Sequence, residues 1–238
     1  MGIRTKKSLF NRSNLRDIVL LCSFVSTAFF RITETEMIIG FFLLAIGCFL
    51  HVLAKGILIR NVVLCNRGIY GLVRHPYYLS NYLVDSSFCL LCGNPFLLLA
   101  YPFLFFWSYG PTMRKEEALL AAEHGDQFAK YGEIAQIFPN RGSFARLGTI
   151  FDGFSVRRIT WKERARVARF CSLGIFITLI HGLTVNGLSN VHLVNLLRYD
   201  PKDALFALVA IICYIASFVF IRMAKRNGHV SEYLLREQ

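Results

Sequence analysis

The chain has 238 residues, of which 55% are hydrophobic and only 18% charged, with a mean hydropathy of +0.46. A soluble domain carries about a quarter charged residues, so this composition argues against an ordinary soluble enzyme and for a membrane protein. A formal net charge of +12 would suit a nucleic-acid partner, but the placement of the basic residues explains it without one.

Apolar runs fall at 15–32, 37–53, 79–91, 95–109, 170–188 and 204–221. Each is near the roughly 17 to 25 residues that a spanning helix needs, or a little short, so six crossings are expected. The expected fold class is all-α, a polytopic membrane bundle. With the N-terminus in the cytosol, 24 of the 27 Lys and Arg residues lie on inner segments and only Arg31, Arg198 and Lys202 lie outside. That asymmetry follows the positive-inside rule and predicts that both termini face the cytosol. A cleaved signal peptide is the rival reading of the first run, since Ser26-Thr27-Ala28 offers small residues; Arg31 and the regular in-out alternation favour a retained helix.

Four segments are expected: N-terminal membrane helices over 1–60, a core over 61–140, a basic segment over 141–169 and C-terminal membrane helices over 170–238. Between the third and fourth runs only Cys92, Gly93 and Asn94 precede Pro95, which predicts a tight helical hairpin. From Thr112 to Tyr131 one apolar stripe among good helix formers predicts a helix broken at His124-Gly125, with Pro139 ending the segment. Further on, Ser155 to Arg169 spaces bulky apolar residues among Arg and Lys. It reads as a basic amphipathic helix on anionic lipid headgroups, or equally as a juxtamembrane cap. In the last two runs Gly174, Gly182 and Gly187 permit close helix contact without forming a strict small-residue motif.

Most of the seven cysteines lie in apolar runs, where cysteine behaves as a small hydrophobe. The Cys89 and Cys92 pair has no second ligand pair, and His51 and His181 have no ligand partners at metal spacing, so both histidines read as core residues and no metal is expected. Phosphate-binding glycine motifs are absent from the sequence.

One cationic segment stands out: Gly68-Ile69-Tyr70-Gly71-Leu72-Val73-Arg74-His75-Pro76-Tyr77-Tyr78, followed about forty residues later by Glu116 and Glu117. Ionisable residues beside membrane-length apolar runs are costly and mark functional sites by default. Taken singly, each has a plainer role: Pro76 as a helix start, Arg74 as a topology charge, Tyr77 and Tyr78 as interfacial aromatics, the glutamates as solvated residues.

Taken together, residues Arg67 to Pro139 resemble the cofactor-binding core of the isoprenylcysteine carboxyl methyltransferases and phospholipid methyltransferases. The likeness runs through G-x-Y-x-x-x-R-H-P-x-Y, a hairpin with Asn94-Pro95 at its turn, E-E-x-x-L at Glu116, Gly125 with Tyr131 six residues on, and a closing Pro139. Membrane sterol reductases share part of it. The resemblance implies S-adenosyl-L-methionine bound by Tyr70, His75, Pro76, Tyr77, Tyr78 and Glu116, with Arg74, Arg114 and Glu117 assigned to catalysis. It implies a lipid or lipid-linked acceptor entering from the bilayer: first a prenylcysteine carboxylate, next a phospholipid headgroup amine, with NADPH-dependent lipid reduction on a related scaffold as the other class. Two positions depart from the pattern. Thr112 stands where the carboxyl methyltransferases have an arginine for the substrate carboxylate, leaving Arg114, half a helical turn away, as the nearest cation; Ser80 stands where glycine is usual.

Overall fold

The computed structural model describes residues 12–58, 64–185 and 201–234, with side chains over 14–58, 64–181 and 204–226. Among these, every regular element is helical, and extended pairing is limited to an isolated bridge between Val73 and Ala135. The helices are α1 (Arg12–Ser26), α2 (Glu34–Ile57), α3 (Ile69–Leu72), α4 (Pro76–Leu91), α5 (Pro95–His124), α6 (Asp126–Tyr131), α7 (Arg141–Phe144), α8 (Trp161–Val185) and α9 (Pro201–Leu234), with two short 3₁₀ turns between α7 and α8. Arg198 and Gly187, named above, lie outside the described residues, as do the surroundings of Gly182 and the side chain of Lys202.

Local chemistry accounts for several boundaries. Thr33 and Glu36 form a reciprocal capping box that starts α2. Asn94 accepts the Phe96 and Leu97 amides to start α5, immediately after Gly93 turns the chain at φ +65°. A Cβ at Gly93 would stand 2.6 Å from the Arg31 carbonyl oxygen, so this hairpin turn needs glycine for its contact as well as its φ. The break expected at His124-Gly125 occurs there, between α5 and α6.

Two differences from the sequence reading concern helix length. α5 runs unbroken for 30 residues through Pro102 and Pro111 and carries Glu116 and Glu117 on its last turns. α8 starts at Trp161, so the second half of the basic stretch is the first part of a bundle helix and the expected 169/170 boundary falls inside it. Among the described residues, two helices are long and apolar enough to cross a bilayer, Glu34–Ile57 and Ala204–Arg226. Among the described residues α1 and α4 span 15 and 16 residues.

The helices pack as α2 on α4 and α8, α1 on α4 and α5, and α9 along α8. Close approach of α2 and α4 depends on Gly47, where a Cβ would meet the Val84 side chain at 2.7 Å. Ser80 uses that closeness: buried in α4, it donates to the Gly47 carbonyl at 2.9 Å, so the departure from the usual glycine adds an interhelical hydrogen bond. Gly174 meets Leu44 in the same way between α8 and α2. Much of α9 presents apolar residues outward, among them Leu205, Ile212, Ile215 and Phe218.

A polar knot missed by the sequence reading ties four helices together. Arg16 of α1 donates through Nε to Asp85 Oδ1 at 2.6 Å and through Nη2 to Asn81 Oδ1 at 3.0 Å, both on α4. From α5, the Tyr101 hydroxyl donates to Asp85 Oδ2 at 3.1 Å, and the guanidinium lies 4.7 Å from the Phe170 ring of α8. Asp85 and Tyr101 are fully buried. Arg16, counted above as a topology charge, is therefore the partner of an interior carboxylate.

Candidate functional site

The segment before α4 is held by the chain that follows α6. The Arg74 and His75 amides donate to the Ala135 and Gln136 carbonyls at 2.8 and 2.9 Å. Pro76, with no amide proton to place, is the first residue of α4. Tyr131 donates its hydroxyl to the Arg74 carbonyl at 3.3 Å, Ser143 donates to Leu72 O at 2.7 Å, and Arg146 Nη1 donates to Gly71 O at 3.2 Å. Burial pushes the Tyr131 phenol well up, which keeps it a donor. Residues 131–146 thus fix the backbone of Gly71 to His75 from one side.

From the other side come the carboxylates of α5. Glu117 Oε1 lies 3.1 Å from Arg74 Nη2 and 3.2 Å from His75 Nε2, while Oε2 accepts from Gln136 Nε2 at 3.1 Å. One turn of helix thereby binds Arg74, His75 and the strand-like chain behind them. Tyr78 donates its hydroxyl to Glu116 Oε1 at 2.7 Å and packs edge-on against Tyr109, with the His75 ring 5.4 Å from its own. Arg74, His75, Tyr78, Glu116 and Glu117 therefore form one group.

His75 is almost fully buried, and that burial lowers its pKa below the usual 6.5 although Glu117 and Glu116 pull the other way. A neutral ring at pH 7 donates Nε2–H to Glu117 and leaves Nδ1 as an acceptor. The Arg74 Nε–H is buried with no hydrogen-bond partner among the described residues. An unsatisfied interior donor costs roughly 1–3 kcal/mol, a cost that any acceptor brought against it would remove.

Other residues expected at this site lie elsewhere. Tyr70 belongs to the core and donates its hydroxyl to Ala54 O at 3.4 Å. Arg114 is exposed and folds back along α5 toward Gly110, apart from the carboxylate group. Tyr77, about 100° round α4 from Tyr78, faces α2 and α8: its ring is 5.0 Å from that of His51, Lys55 Nζ lies 4.1 Å from its centroid, and Arg166 Nη1 bonds its hydroxyl. These three placements share a cause, since sequence spacing gives a residue's place along a helix and not the neighbour its face meets.

Tyr77 belongs instead to a second polar group that the sequence reading missed. Glu163 of α8 accepts from His51 Nε2 at 2.8 Å and Arg166 Nη1 at 2.9 Å, with Lys55 Nζ at 3.7 Å. His51, taken above as a packed core residue, is indeed fully buried, but it has a carboxylate partner 112 positions away. The available signal was a lone glutamate among the basic residues of the 155–169 stretch. Burial alone would raise the Glu163 carboxyl, but its bond from His51 and the charges of Arg166 and Lys55 outweigh that and hold it at about 2.

Both shifts act on stability with the same sign. His75 is harder to protonate folded than unfolded, so its share of stability is complete above pH 6.5 and falls as pH drops below that value. Glu163 contributes fully above its usual 4.5 and loses its share as pH falls toward about 2. The thermal midpoint in lipid or detergent should fall in two stages on acidification, and Glu163→Gln should remove the lower stage. A midpoint that rises as pH falls below 6.5 would contradict the His75 assignment, and one that rises as pH falls from 4.5 toward about 2 would contradict that of Glu163.

Comparison with protein-family models, with characterised proteins and with solved structures returns no match to this chain.

Proposed function

We propose that the protein is a multi-pass membrane methyltransferase that binds S-adenosyl-L-methionine at the Arg74, His75, Tyr78, Glu116 and Glu117 group and methylates a lipid or lipid-linked acceptor. The observation that carries the reading is the meeting of these five residues, from segments about forty positions apart, around a buried Arg74 Nε–H that has no partner among the described residues. Residues of these types suit the ligand: Arg74 for its carboxylate, Glu116 for its amino group, and Tyr78 and Tyr109 for its adenine or sulfonium. When bound, the cofactor supplies an electrophilic methyl carbon, to which the acceptor's lone pair bonds as the carbon–sulfur pair leaves with sulfur. The protein's task is then to align the reactants and exclude water. Glu117, committed to three donors, positions the loop. The neutral His75 ring keeps Nδ1 as an acceptor for a proton from an amine acceptor; a carboxylate acceptor would need no base.

Six membrane crossings with the site and both termini on the cytosolic side complete the proposal. Sidedness is supported by the clustering of Lys55, Arg74, Arg158 and Arg166 at the His75 end of the bundle, while Arg31 packs on the hairpin turn at the other.

The test is equilibrium binding of labelled S-adenosylmethionine to the full chain in lipid nanodiscs, with NADPH as the competing candidate. Saturable methyl-donor binding, weakened about tenfold or more by Glu116→Ala, is the expected result. Absence of donor binding, or binding of NADPH in its place, overturns the assignment.

A further inference from the structure

A cavity of about 210 Å³ lies between the Gly71 turn and the chain that follows α6, with Gly71, Glu133, Ala135, Asn140, Ser143 and Arg146 among its lining. None of the five residues of the methyl-donor group lines it. Its walls are held by bonds already described: Ala135 O accepts the Arg74 amide, Ser143 bonds Leu72 O, and Arg146 Nη1 bonds Gly71 O. Asn140 caps α7 through its side-chain oxygen, which leaves its amide nitrogen without a hydrogen bond among the described residues. Pockets for drug-sized ligands run upward from about 300 Å³, so this space suits a compact guest and is small for a whole S-adenosylmethionine.

Opposite charges stand on this lining without meeting. Glu133 follows α6 and Arg146 follows α7. Among the described residues they form no ion pair with each other, the Glu133 carboxylate takes no hydrogen bond, and Arg146 uses Nη1 alone, so its Nε and Nη2 donors remain for a guest. A lone anion at Arg146 would share the cavity with the Glu133 carboxylate, and a lone cation at Glu133 would share it with the guanidinium; like charges so placed disfavour both. A molecule that carries both signs a few bonds apart satisfies both walls. The planar guanidinium offers paired donors to a carboxylate, and Glu133 accepts from an ammonium.

We infer that this cavity is a binding site for a small zwitterion of the α-amino-acid class, its carboxylate on Arg146 and its ammonium on Glu133. A guest held there ties together the same stretch of chain that fixes the backbone of Gly71 to His75, so its binding stabilises that stretch by mass action. The inference stands apart from the methyltransferase reading and does not depend on it.

The experiment titrates the full chain in uncharged detergent with L-serine, a compact polar amino acid, and follows binding by calorimetry. Wild type should bind it saturably, Glu133→Gln and Arg146→Gln should each weaken binding about tenfold or more, and Arg146→Lys should recover part of the loss. Acetate and ethylamine, which carry one charge each, should bind at least about tenfold more weakly than serine. Arg146→Gln also removes a bond to Gly71, whereas the Glu133 side chain makes no bond among the described residues, so Glu133→Gln tests the charge without loosening the fold. Serine binding by Glu133→Gln equal to that of wild type, or acetate binding as tight as serine, overturns the zwitterion; absence of serine binding to wild type overturns the site. The titration is repeated with saturating S-adenosylmethionine: serine should still bind, and its exclusion assigns the cavity to the donor site and overturns a separate one. Failure of the methyltransferase reading would show as absence of donor binding while the serine titration stands.

Discussion

Asp85→Ala is expected to cost 3–5 kcal/mol, roughly half the stability of an ordinary domain, and to leave little folded protein in detergent or lipid at ordinary temperatures. The carboxylate is fully buried, accepts from Arg16 and Tyr101, and lies among helices α1, α4, α5 and α8. Removing it leaves the part-buried Arg16 guanidinium with Asn81 as its remaining hydrogen-bond acceptor among the described residues. That uncompensated charge, more than the lost attraction, sets the size of the effect. Asp85→Asn keeps the shape and should fall between. A double replacement, Arg16→Met with Asp85→Leu, removes both charges together and should recover most of the loss. The measurement is the thermal midpoint of each variant in the same lipid, and a double variant no better than Asp85→Ala would show that the pair does more than balance charge.

Glu117→Ala should lower affinity for S-adenosylmethionine about a hundredfold, an effect of nearly 3 kcal/mol that matches loss of the charge-assisted bonds meeting at one carboxylate. Arg74, His75 and Gln136 all bond Glu117, so the substitution frees Arg74 and His75 and removes one tie to residues 131–146. Glu117→Gln keeps an acceptor for Arg74 and should retain part of the binding. Should Glu117→Ala bind the donor as wild type does, the clamp is structural and the donor is held elsewhere.

How far these features were legible from sequence follows from what spacing can encode. Helix starts with chemical markers were readable: the Cys92-Gly93-Asn94 hairpin and the break at His124-Gly125 fall where expected. Continuity was less so: one apolar run ends at Tyr109 and the next helical pattern starts at Thr112, yet α5 passes through both. In the candidate site, Arg74, His75, Tyr78, Glu116 and Glu117 come together from motif positions alone. Tyr70, Tyr77 and Arg114 do not, since the side on which a helix meets its neighbours depends on partners distant in sequence. The same limit hid the two charged pairs. Arg16 and Asp85 are 69 positions apart, and Arg16 passed for a topology charge because it borders the basic N-terminus. Glu163 was masked by the cations around it, of which Arg166 turns out to be its partner, along with His51 and Lys55 from α2.

The unbroken course of α5 gives the bundle a lever. Thirty residues make a rod about 45 Å long, pinned at one end by Asn94, which donates to Ser26 at 2.8 Å, and bearing Glu116 and Glu117 near the other. A swing of only about 5° about the pinned end would carry the far tip about 4 Å, more than the length of any hydrogen bond that Glu117 makes. The thickness of the surrounding bilayer, which sets how such rods lean, would thereby act on the grip of α5 upon Arg74 and His75.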